Sequence, residues 1–338
     1  TIFTQEGGQG AKKIRISQTA GLVASSNNGK VTISQYRGRI KKEQISGYDF
    51  DLTSNGQYLA ISGYDKGLKI LSKNKQYIEI VKPETWENHL LDFSDDNQWL
   101  VTADSHQDHR KDKNYLLQIR LWKIGENLTA MKEPIHIGNI SRDKQKVFYK
   151  NCFGFSGNGE WIYATNLDTL HLWKIDLKKK NPVKSYYKLE HDGTIVSDIS
   201  ISTDGHWLIT GAYDYLVRLW DLEKIDYSKQ PVILTGHTHL VKTVAIDNNG
   251  RYAASGGLDG NVRLWDLHSQ HPSSDAITLY RSEPVTDVIF SNDGKWLIAA
   301  YEDGSIRRWS VNIDSLKAVA RQAVGRTFSD KEKIQFIK

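Results

Sequence analysis

Two sets of residues have the composition of a hydrolytic active site. His237, Ser255 and Asp259 supply the histidine, hydroxyl and carboxylate of a serine-hydrolase triad. The same kinds of group recur 45 or 46 residues earlier in the chain, as His191, Thr210 and Asp214. Since one active site needs one triad, the repetition favours a structural role for both sets. A Gly-x-Ser-x-Gly elbow is also missing, because Gly154–Asn158 departs from that motif at its last position.

Two other stretches have some features of ligand sites. His106, Asp108 and His109 are metal-ligating residue types, but they lie in a stretch rich in Lys and Asp with no cysteine to assist, so we expect a solvated loop. The Gly-rich stretch Gly7–Gly10 is followed by two lysines, but its spacing is not that of a phosphate-binding loop. A flexible linker is expected there. The sequence therefore predicts neither a metal nor another cofactor.

Both triad-like sets lie within a repeated strand pattern. Leu234–Leu267 contains short apolar runs of period two, separated by turns at Asn248–Gly250 and Asp259–Gly260. This pattern is typical of an antiparallel meander. Ile195–Leu222 and Val285–Val311 repeat it. The glycines of the first turn are 45 and 44 residues apart, at Gly205, Gly250 and Gly294.

The ends of this unit resemble a known repeat. Gly236-His237 at the front and Trp265-Asp266 at the back, about 30 residues apart, resemble a blade of the WD-repeat β-propeller family. The resemblance implies an all-β fold, a seven-bladed WD-repeat β-propeller over residues 1–311 with a short helical C-terminal extension over residues 312–338. The four earlier blades are less regular, at 14–34, 47–71, 88–122 and 148–175. An insertion at Ser105–Asn114 and a long connection at Gly125–Lys146 interrupt them.

The two chain ends carry the prediction of how the propeller closes. Asn312–Val324 has a candidate N-cap, an apolar face and the stop Gly325, so it predicts a helix in place of a fourth strand in blade seven. A capping box at Ser329–Glu332 begins a second short helix. The family's usual closure then implies that Ile2–Gln5 supplies the missing outer strand of blade seven.

The resemblance also gives the triad-like residues a structural role. In a WD blade the histidine bonds the turn aspartate, the strand hydroxyl bonds the histidine, and a tryptophan indole N–H reaches the hydroxyl. The implied tetrad of blade six is His237, Ser255, Asp259 and Trp265, and that of blade five is His191, Thr210, Asp214 and Trp220. Blade seven has Ala299 at the hydroxyl position, so its network is expected to be broken.

Composition and charge exclude several classes of function. The net charge of +5 is spread among 40 acidic residues, and the one local run, Lys178–Lys180 with Lys184, is expected to be a solvated loop. Nucleic-acid binding is therefore disfavoured. There is no apolar run of about 18 residues and no signal-peptide pattern, so no membrane span is expected. The single cysteine, Cys152, fits a reducing compartment and favours a cytoplasmic location.

Without catalysis, function is expected to lie in a surface. WD-repeat proteins use the rim formed by the loops ahead of the first strand and between the second and third strands of each blade. Carried onto this chain, the predicted rim residues are Tyr64, Asp104, His106, Tyr213, Tyr215, His239, Leu258 and Tyr301. Tyrosine is enriched at interface hot spots, which favours a protein or peptide partner. Two alternatives are a propeller-scaffold enzyme with its site at the channel mouth and a nucleic-acid-binding propeller.

The C-terminal tail adds a second resemblance. Asp314–Lys317 and Val319–Ser329 are similar to the C-terminal extension of bacterial, notably cyanobacterial, multidomain WD-repeat proteins. In those proteins the propeller follows an NTPase, caspase-like or kinase-like region. The resemblance implies a sensor or autoinhibitory domain of a bacterial signalling or defence protein, monomeric as an isolated domain, with other domains of the same polypeptide among its partners. The start at Thr1, without a methionine, agrees with a piece of a larger chain.

Overall fold

The structure is built from strands and turns. The computed structural model describes residues 13–17, 20, 22–27, 30–35, 42–47, 49–63, 67–72, 77–81, 87–107, 114–124, 134–143, 152–225, 230–280 and 282–311. These ranges contain 27 β-strands and no α-helix. None of the described segments is therefore a helix that could span a membrane.

The first half of the chain forms four sheets of four strands each, and the strands of a sheet follow one another in chain order. The first sheet contains β1 (Lys13–Ser17), β2 (Leu22–Asn27), β3 (Lys30–Gln35) and β4 (Lys42–Ser46). The second contains β5 (Asp49–Leu52), β6 (Tyr58–Gly63), β7 (Gly67–Ser72) and β8 (Tyr77–Val81). The third contains β9 (Glu87–Phe93), β10 (Trp99–Gln107), β11 (Asn114–Lys123) and β12 (Ile135–Asp143). The fourth contains β13 (Phe153–Phe155), β14 (Trp161–Asn166), β15 (Thr169–Ile175) and β16 (Val183–Glu190).

The second half continues the pattern with three more sheets. The fifth contains β17 (Val196–Ile201), β18 (Trp207–Ala212), β19 (Val217–Asp221) and β20 (Val232–Leu234). The sixth contains β21 (Val241–Ile246), β22 (Tyr252–Gly257), β23 (Val262–Asp266) and β24 (Ile277–Leu279). The seventh has three strands among the described residues, β25 (Val285–Phe290), β26 (Trp296–Tyr301) and β27 (Ile306–Ser310). The seven antiparallel sheets agree with the blade count expected from the sequence.

The chain divides into two compact units. The first contains Thr1–Phe155, Gly159–Asn166 and His171–Tyr186, and the second contains the remaining residues. In the first unit, buried residues of the third and fourth sheets, among them Trp99 and Trp173, form one apolar cluster. In the second unit, one cluster joins the fifth and sixth sheets and another joins the sixth and seventh.

One turn is repeated between the first two strands of most sheets. Its first residue is Ser, Thr or Asp, whose side-chain oxygen accepts the N–H of the residue five positions later, as in Ser202 with Trp207 at 2.9 Å. The fourth residue donates its N–H to the carbonyl of the first and has a left-handed backbone, which favours glycine. These left-handed residues are Gly56, Asn97, Gly205, Gly250 and Gly294. The spacing of Gly205, Gly250 and Gly294 in the sequence therefore corresponds to the repetition of this turn in successive sheets.

Side chains of the first strand of one sheet bind the backbone of the first strand of the next sheet. In the second unit, Asp198 accepts the N–H of Val244 at 2.9 Å, and Thr243 accepts the N–H of Val288 at 3.3 Å. In the first unit the same role falls to Asp51, which accepts from Phe93 at 2.8 Å, and to Asp92, which accepts from Phe155 at 2.9 Å. Asp49 with Leu91 and Ser200 with Ile246 complete the set. Each acceptor satisfies a buried backbone donor and fixes one sheet against its neighbour.

Small residues in the second strand let neighbouring sheets approach closely. All six residues of β22 are buried, and four of them are Ala or Gly. A Cβ built on Gly256 would lie 2.4 Å from Cγ1 of Val285, and one on Gly211 would lie 2.7 Å from Cγ1 of Val241. Glycine at these two positions therefore makes room for the first strand of the following sheet.

Two predictions for the third sheet are wrong. The proposed long connection Gly125–Lys146 contains a nine-residue strand, Ile135–Asp143, that pairs with β11. A register shift opposite Ile119 and Arg120 breaks the alternation of this strand and hides it from a period-two reading. The insertion Ser105–Asn114 is partly strand, since Gln107 pairs with Tyr115. Two paired strands satisfy the hydrogen-bonding groups of each other's backbone. A strand can therefore continue into a segment whose side chains are polar.

The predictions for the chain ends lie outside the described residues. Ile2–Gln5 falls there, and so does the whole extension 312–338 with its proposed helices. The closing strand and the helical tail stay predictions.

We expect folding stability to depend on the ionisation of Asp198. Burial raises the pKa of this carboxyl from 3.8 to about 7. Between these two pH values the folded chain therefore holds a proton that the unfolded chain has released. The resulting stabilisation is complete below the unfolded pKa and is lost as the pH rises through about 7. Urea unfolding between about pH 4.5 and 8 should therefore show a smaller fall in unfolding free energy for Asp198→Asn than for the wild type.

Asp293→Asn is the matched control. The Asp293 carboxyl lies at an exposed turn, where hydrogen bonds to Ser291 and Lys295 lower its pKa. A lowered pKa changes stability only at more acidic pH, so this variant should keep the wild-type slope. Identical slopes for Asp198→Asn and the wild type would show that Asp198 does not take up a proton on folding.

Candidate functional site

The sixth-sheet residues form a continuous hydrogen-bond network. His237 lies in the loop before β21, Ser255 in β22, and Asp259 in the turn that leads to β23. Nδ1 of His237 lies 3.0 Å from Oδ2 of Asp259, and Nε2 lies 2.8 Å from Oγ of Ser255. The Nε1–H of Trp265, in β23, donates to the same Oγ at 3.1 Å. The network joins a loop, two strands and a turn.

Asp259 is ionised in this network. Burial opposes its ionisation, but the hydrogen bond and charge of His237 outweigh burial and hold the pKa of the carboxyl well below its usual range. The N–H groups of Thr238 and Asn261 also donate to the carboxylate, at 2.9 and 3.0 Å. A carboxylate with this many donors holds the turn and the preceding loop together.

The triad geometry is closed to a substrate. Ser255 is fully buried, and its Oγ has both the imidazole and the indole as close neighbours. A nucleophile must reach the carbonyl that it attacks, with an oxyanion site beside it. The burial of Ser255 prevents that approach, so the arrangement contributes to folding and not to acyl transfer.

The prediction of a complete tetrad in the fifth sheet is wrong. Nε2 of His191 does lie 2.8 Å from Oγ1 of Thr210. The carboxylate of Asp214, however, accepts from Nη2 of Arg218 at 2.6 Å, and Nδ1 of His191 is not bonded to it. Within the described residues, the buried Nε1 of Trp220 has no hydrogen-bond partner. Only one of the three implied side-chain bonds is present.

Loop length explains the difference between the two sheets. His191 precedes the first residue of its strand, Val196, by five positions, whereas His237 precedes Val241 by four. The extra residue places Asp192 and Gly193 in the left-handed region, with φ of 51° and 78°. Burial, and next the charge of Arg218, lower the pKa of His191 to about 4. The imidazole of His191 is therefore neutral, and the guanidinium of Arg218 forms the ion pair with the carboxylate of Asp214.

An arginine pairing was missed by the sequence reasoning. In the third sheet, the Nε1–H of Trp122 donates to Thr102 at 3.0 Å, and Nη1 of Arg120 donates to Asp104 at 3.1 Å. Asp104 is 2% exposed, so its prediction as a rim binding residue is wrong. The motif Arg-Leu-Trp recurs at Arg120–Trp122, Arg218–Trp220 and Arg263–Trp265, and its arginine binds an aspartate in the third and fifth sheets but the carbonyl of Gly236 in the sixth. The arginine lies two positions before the tryptophan, where alternation places both side chains on one face.

The remaining predicted rim residues differ in exposure. Tyr215 is 41% exposed, and its ring centroid lies 5.8 Å from that of His239, which is also exposed. Tyr213 and Leu258 are partly exposed. Tyr301 is 3% exposed and packs in the cluster of the sixth and seventh sheets, so its prediction as a binding residue is wrong.

Two predicted rim residues cannot be placed as contacts. Tyr64 lies outside the described residues. His106 lies in β10, opposite Leu116, and its side chain is not among those described. For the proposed metal cluster, Asp108 and His109 lie outside the described residues. In the part of the chain that is described, no group of three His, Cys, Asp or Glu side chains could hold a metal.

Comparison with known families supports the repeat assignment. The model of the WD40 family (WD domain, G-beta repeat) matches residues 181–221, 228–266 and 276–310. These matches support a WD-repeat family. A search of curated proteins found no match to the chain. Seven antiparallel sheets together with WD40 repeats fit a β-propeller.

The matched repeats and the sheets do not share boundaries. The first match, 181–221, begins with β16, the outer strand of the fourth sheet, and ends with β19 in the fifth. The matches 228–266 and 276–310 begin with β20 and β24 in the same way. Each repeat therefore supplies the last strand of one sheet and the first three strands of the next.

We expect the sixth-sheet indole to stabilise the fold more than the fifth-sheet indole. Trp265→Phe removes a buried donor and leaves the hydroxyl of Ser255 one partner short, which costs about 1–3 kcal/mol. Trp220→Phe removes about the same apolar surface together with an N–H that has no partner among the described residues. Urea unfolding should show the larger loss for Trp265→Phe.

The two tryptophan variants control for each other, because both exchange an indole for a phenyl ring in the third strand of a sheet. Equal losses for Trp265→Phe and Trp220→Phe would contradict a stabilising role for the sixth-sheet network.

Asp259→Ala should also lower the melting temperature more than Ser34→Ala, since Ser34 occupies the tryptophan position of the first sheet.

Proposed function

We propose that this chain is a non-catalytic protein-interaction module that binds a protein or peptide at one end of its sheets. WD40 repeats typically mediate protein interactions, and three of them match here. The observation that carries the proposal is the exposed pair of Tyr215 and His239, on two neighbouring loops of that end. Exposed aromatic residues of this kind are enriched where protein partners bind.

The competing proposal of an enzyme with a propeller scaffold has less support. That proposal places the active site at the channel mouth, and the triad-like set His237, Ser255 and Asp259 does not supply it, because the burial of Ser255 closes the set to a substrate. A nucleic-acid partner also has little support, because the basic run at Lys178–Lys180 is a short exposed stretch in which Lys179 lies 3.8 Å from the carboxylate of Asp176.

The cellular setting proposed for the chain rests on the sequence. The tail at 314–329 supports a C-terminal sensor or autoinhibitory domain of a bacterial signalling or defence protein, in which other domains of the polypeptide are candidate partners. The chain has a single cysteine, Cys152, and therefore no internal disulfide, which supports a reducing, cytoplasmic location. We further propose that the isolated domain is monomeric.

A second part of the proposal concerns the domain layout. We propose that residues 1–311 form one propeller, in which residues 2–5 pair with β27 as the fourth strand of the seventh sheet, and that residues 312–338 form a helical extension. The support is the strand count, since the six other sheets have four strands each.

Hydrogen exchange tests the closing strand. Deletion of residues 1–12 should raise the exchange rate of amides in β27, because a paired strand edge protects its donors. Amides of β23 pair with β24 and provide the internal control. An unchanged exchange rate in β27 after the deletion would exclude residues 2–5 as the fourth strand.

Affinity capture tests the proposed interaction. The tagged chain should recover specific proteins from its own cells, and the double variant Tyr215→Ser, His239→Ser should lose most of them. His268→Ser is the matched control, since His268 is exposed in a loop at the opposite end of the sheets. Equal recovery by wild type and double variant would show that these two residues are not the binding surface.

A further inference from the structure

The loops at one end of the second compact unit differ in charge from the rest of the chain. We call this set the acidic rim: the described residues of 167–168, 191–195, 213–216, 235–240, 258–261, 280–284 and 302–305. Each of these loops either precedes the first strand of a sheet or joins its second and third strands. In an antiparallel meander these two kinds of loop lie at the same end of the strands.

The described residues of the acidic rim carry formal charge of only one sign, and the nearest cations are strand residues, Arg218 against Asp214 and Arg263 against the carbonyl of Gly236. The described rim residues include seven carboxylates and no lysine or arginine, while Arg281 lies outside the described residues. The carboxylates are Asp168, Asp192, Asp214, Asp259, Glu283, Glu302 and Asp303. Loops at the opposite end of the same sheets carry both signs of charge, with the cations Lys224, Arg251 and Lys295 beside carboxylates such as Asp204, Glu223 and Asp293. The net charge of the whole chain is +5, whereas the charged side chains of the described rim residues are carboxylates.

The seven carboxylates of the acidic rim differ in their exposure to solvent. Asp214 is paired with Arg218, and Asp259 is bonded to His237, so these two serve the fold. Of the other five, Asp192, Glu302 and Asp303 are exposed. Carboxylates at a water-exposed surface attract cationic ligands over several ångströms.

The same rim exposes an aromatic side chain in a strained conformation. Tyr215 has φ of 71°, a left-handed value. The matching turns of the sixth and seventh sheets have glycine in this conformation, Gly260 at 75° and Gly304 at 80°. The fourth sheet has Leu167 there, at 57°. A residue with a Cβ adopts this conformation at a cost, and such strain concentrates at functional positions.

Aromatic faces and carboxylates together favour a cation. The Tyr215 and His239 rings lie 5.8 Å apart and inclined by 36°, so they do not fully cover each other. A Lys ammonium or Arg guanidinium is attracted to an aromatic face and pairs with nearby carboxylates. We infer that the acidic rim binds a peptide segment that inserts a Lys or Arg side chain beside Tyr215. This inference rests on the proposed function, because it names the partner class for the same surface.

Phage display of random twelve-residue peptides tests this partner class. Selection on the whole chain should enrich peptides with at least one Lys or Arg. The best peptide, fluorescently labelled, is then titrated by polarisation against the wild type and the variants. Tyr215→Gly should weaken its binding about two- to fivefold, as expected for loss of one exposed cation–π contact. Asp192→Asn should weaken it and reduce its dependence on salt concentration.

The variants are chosen so that folding is not in question. Glycine is the residue that the matching turns of the next two sheets place at this φ, so Tyr215→Gly should keep the wild-type melting temperature. Glu223→Gln removes one exposed charge at the opposite end and is the control for Asp192→Asn. It should leave the peptide affinity unchanged.

The outcomes separate the two proposals. Enrichment of Lys- or Arg-containing peptides whose binding falls in Tyr215→Gly and Asp192→Asn supports the inference. Enrichment of peptides without Lys or Arg, bound through Tyr215, would overturn the cationic partner but keep the proposed function. Enrichment of no peptide, or binding that neither variant changes, would overturn both.

Discussion

The packing of four pairs of neighbouring sheets, two pairs in each compact unit, depends on how the first strand of the later sheet satisfies its backbone. One edge of that strand pairs with the second strand, and its other edge has N–H groups that are removed from water. The acceptor is a side-chain oxygen on the preceding sheet, from a carboxyl group in Asp49, Asp51, Asp92 and Asp198 and from a hydroxyl group in Ser200 and Thr243. An unsatisfied buried donor costs about 1–3 kcal/mol, so these side chains set the alignment of neighbouring sheets.

The polar networks nearer the loops adapt to this packing and do not determine it. The fifth and sixth sheets both have a histidine, a hydroxyl residue, an aspartate and a tryptophan in the same order, yet one extra loop residue redirects Asp214 from His191 to Arg218. The fifth sheet still forms, with Leu219 and Trp220 buried. Differences of this kind leave the loops free to vary, and the exposed Tyr215 is one result.

The sequence was most informative where local chemistry repeats. Glycine spacing located the turns, and the Trp-Asp pairs located the third strands, because both depend on short-range geometry. Long-range packing was less accessible. Tyr301 occupies a turn position that suggested exposure, but the cluster of the sixth and seventh sheets buries it. The strand Ile135–Asp143 was missed because a register shift breaks its alternation. The two Asp-Arg pairs were not predicted, because Asp214 was expected to bind His191 and Asp104 was expected to be exposed at the rim.

The offset between repeats and sheets has a mechanical consequence. A cut between β19 and β20, near a repeat border, would leave the fifth sheet divided between two fragments. Each fragment would then carry a strand edge that only the other can satisfy, together with half of an apolar interface. Such fragments should reassociate spontaneously, because each one carries the strand edge that hydrogen-bonds to the other. The fold should therefore tolerate a backbone cut near a border between sequence repeats, because the strands on both sides of the cut belong to the same sheet.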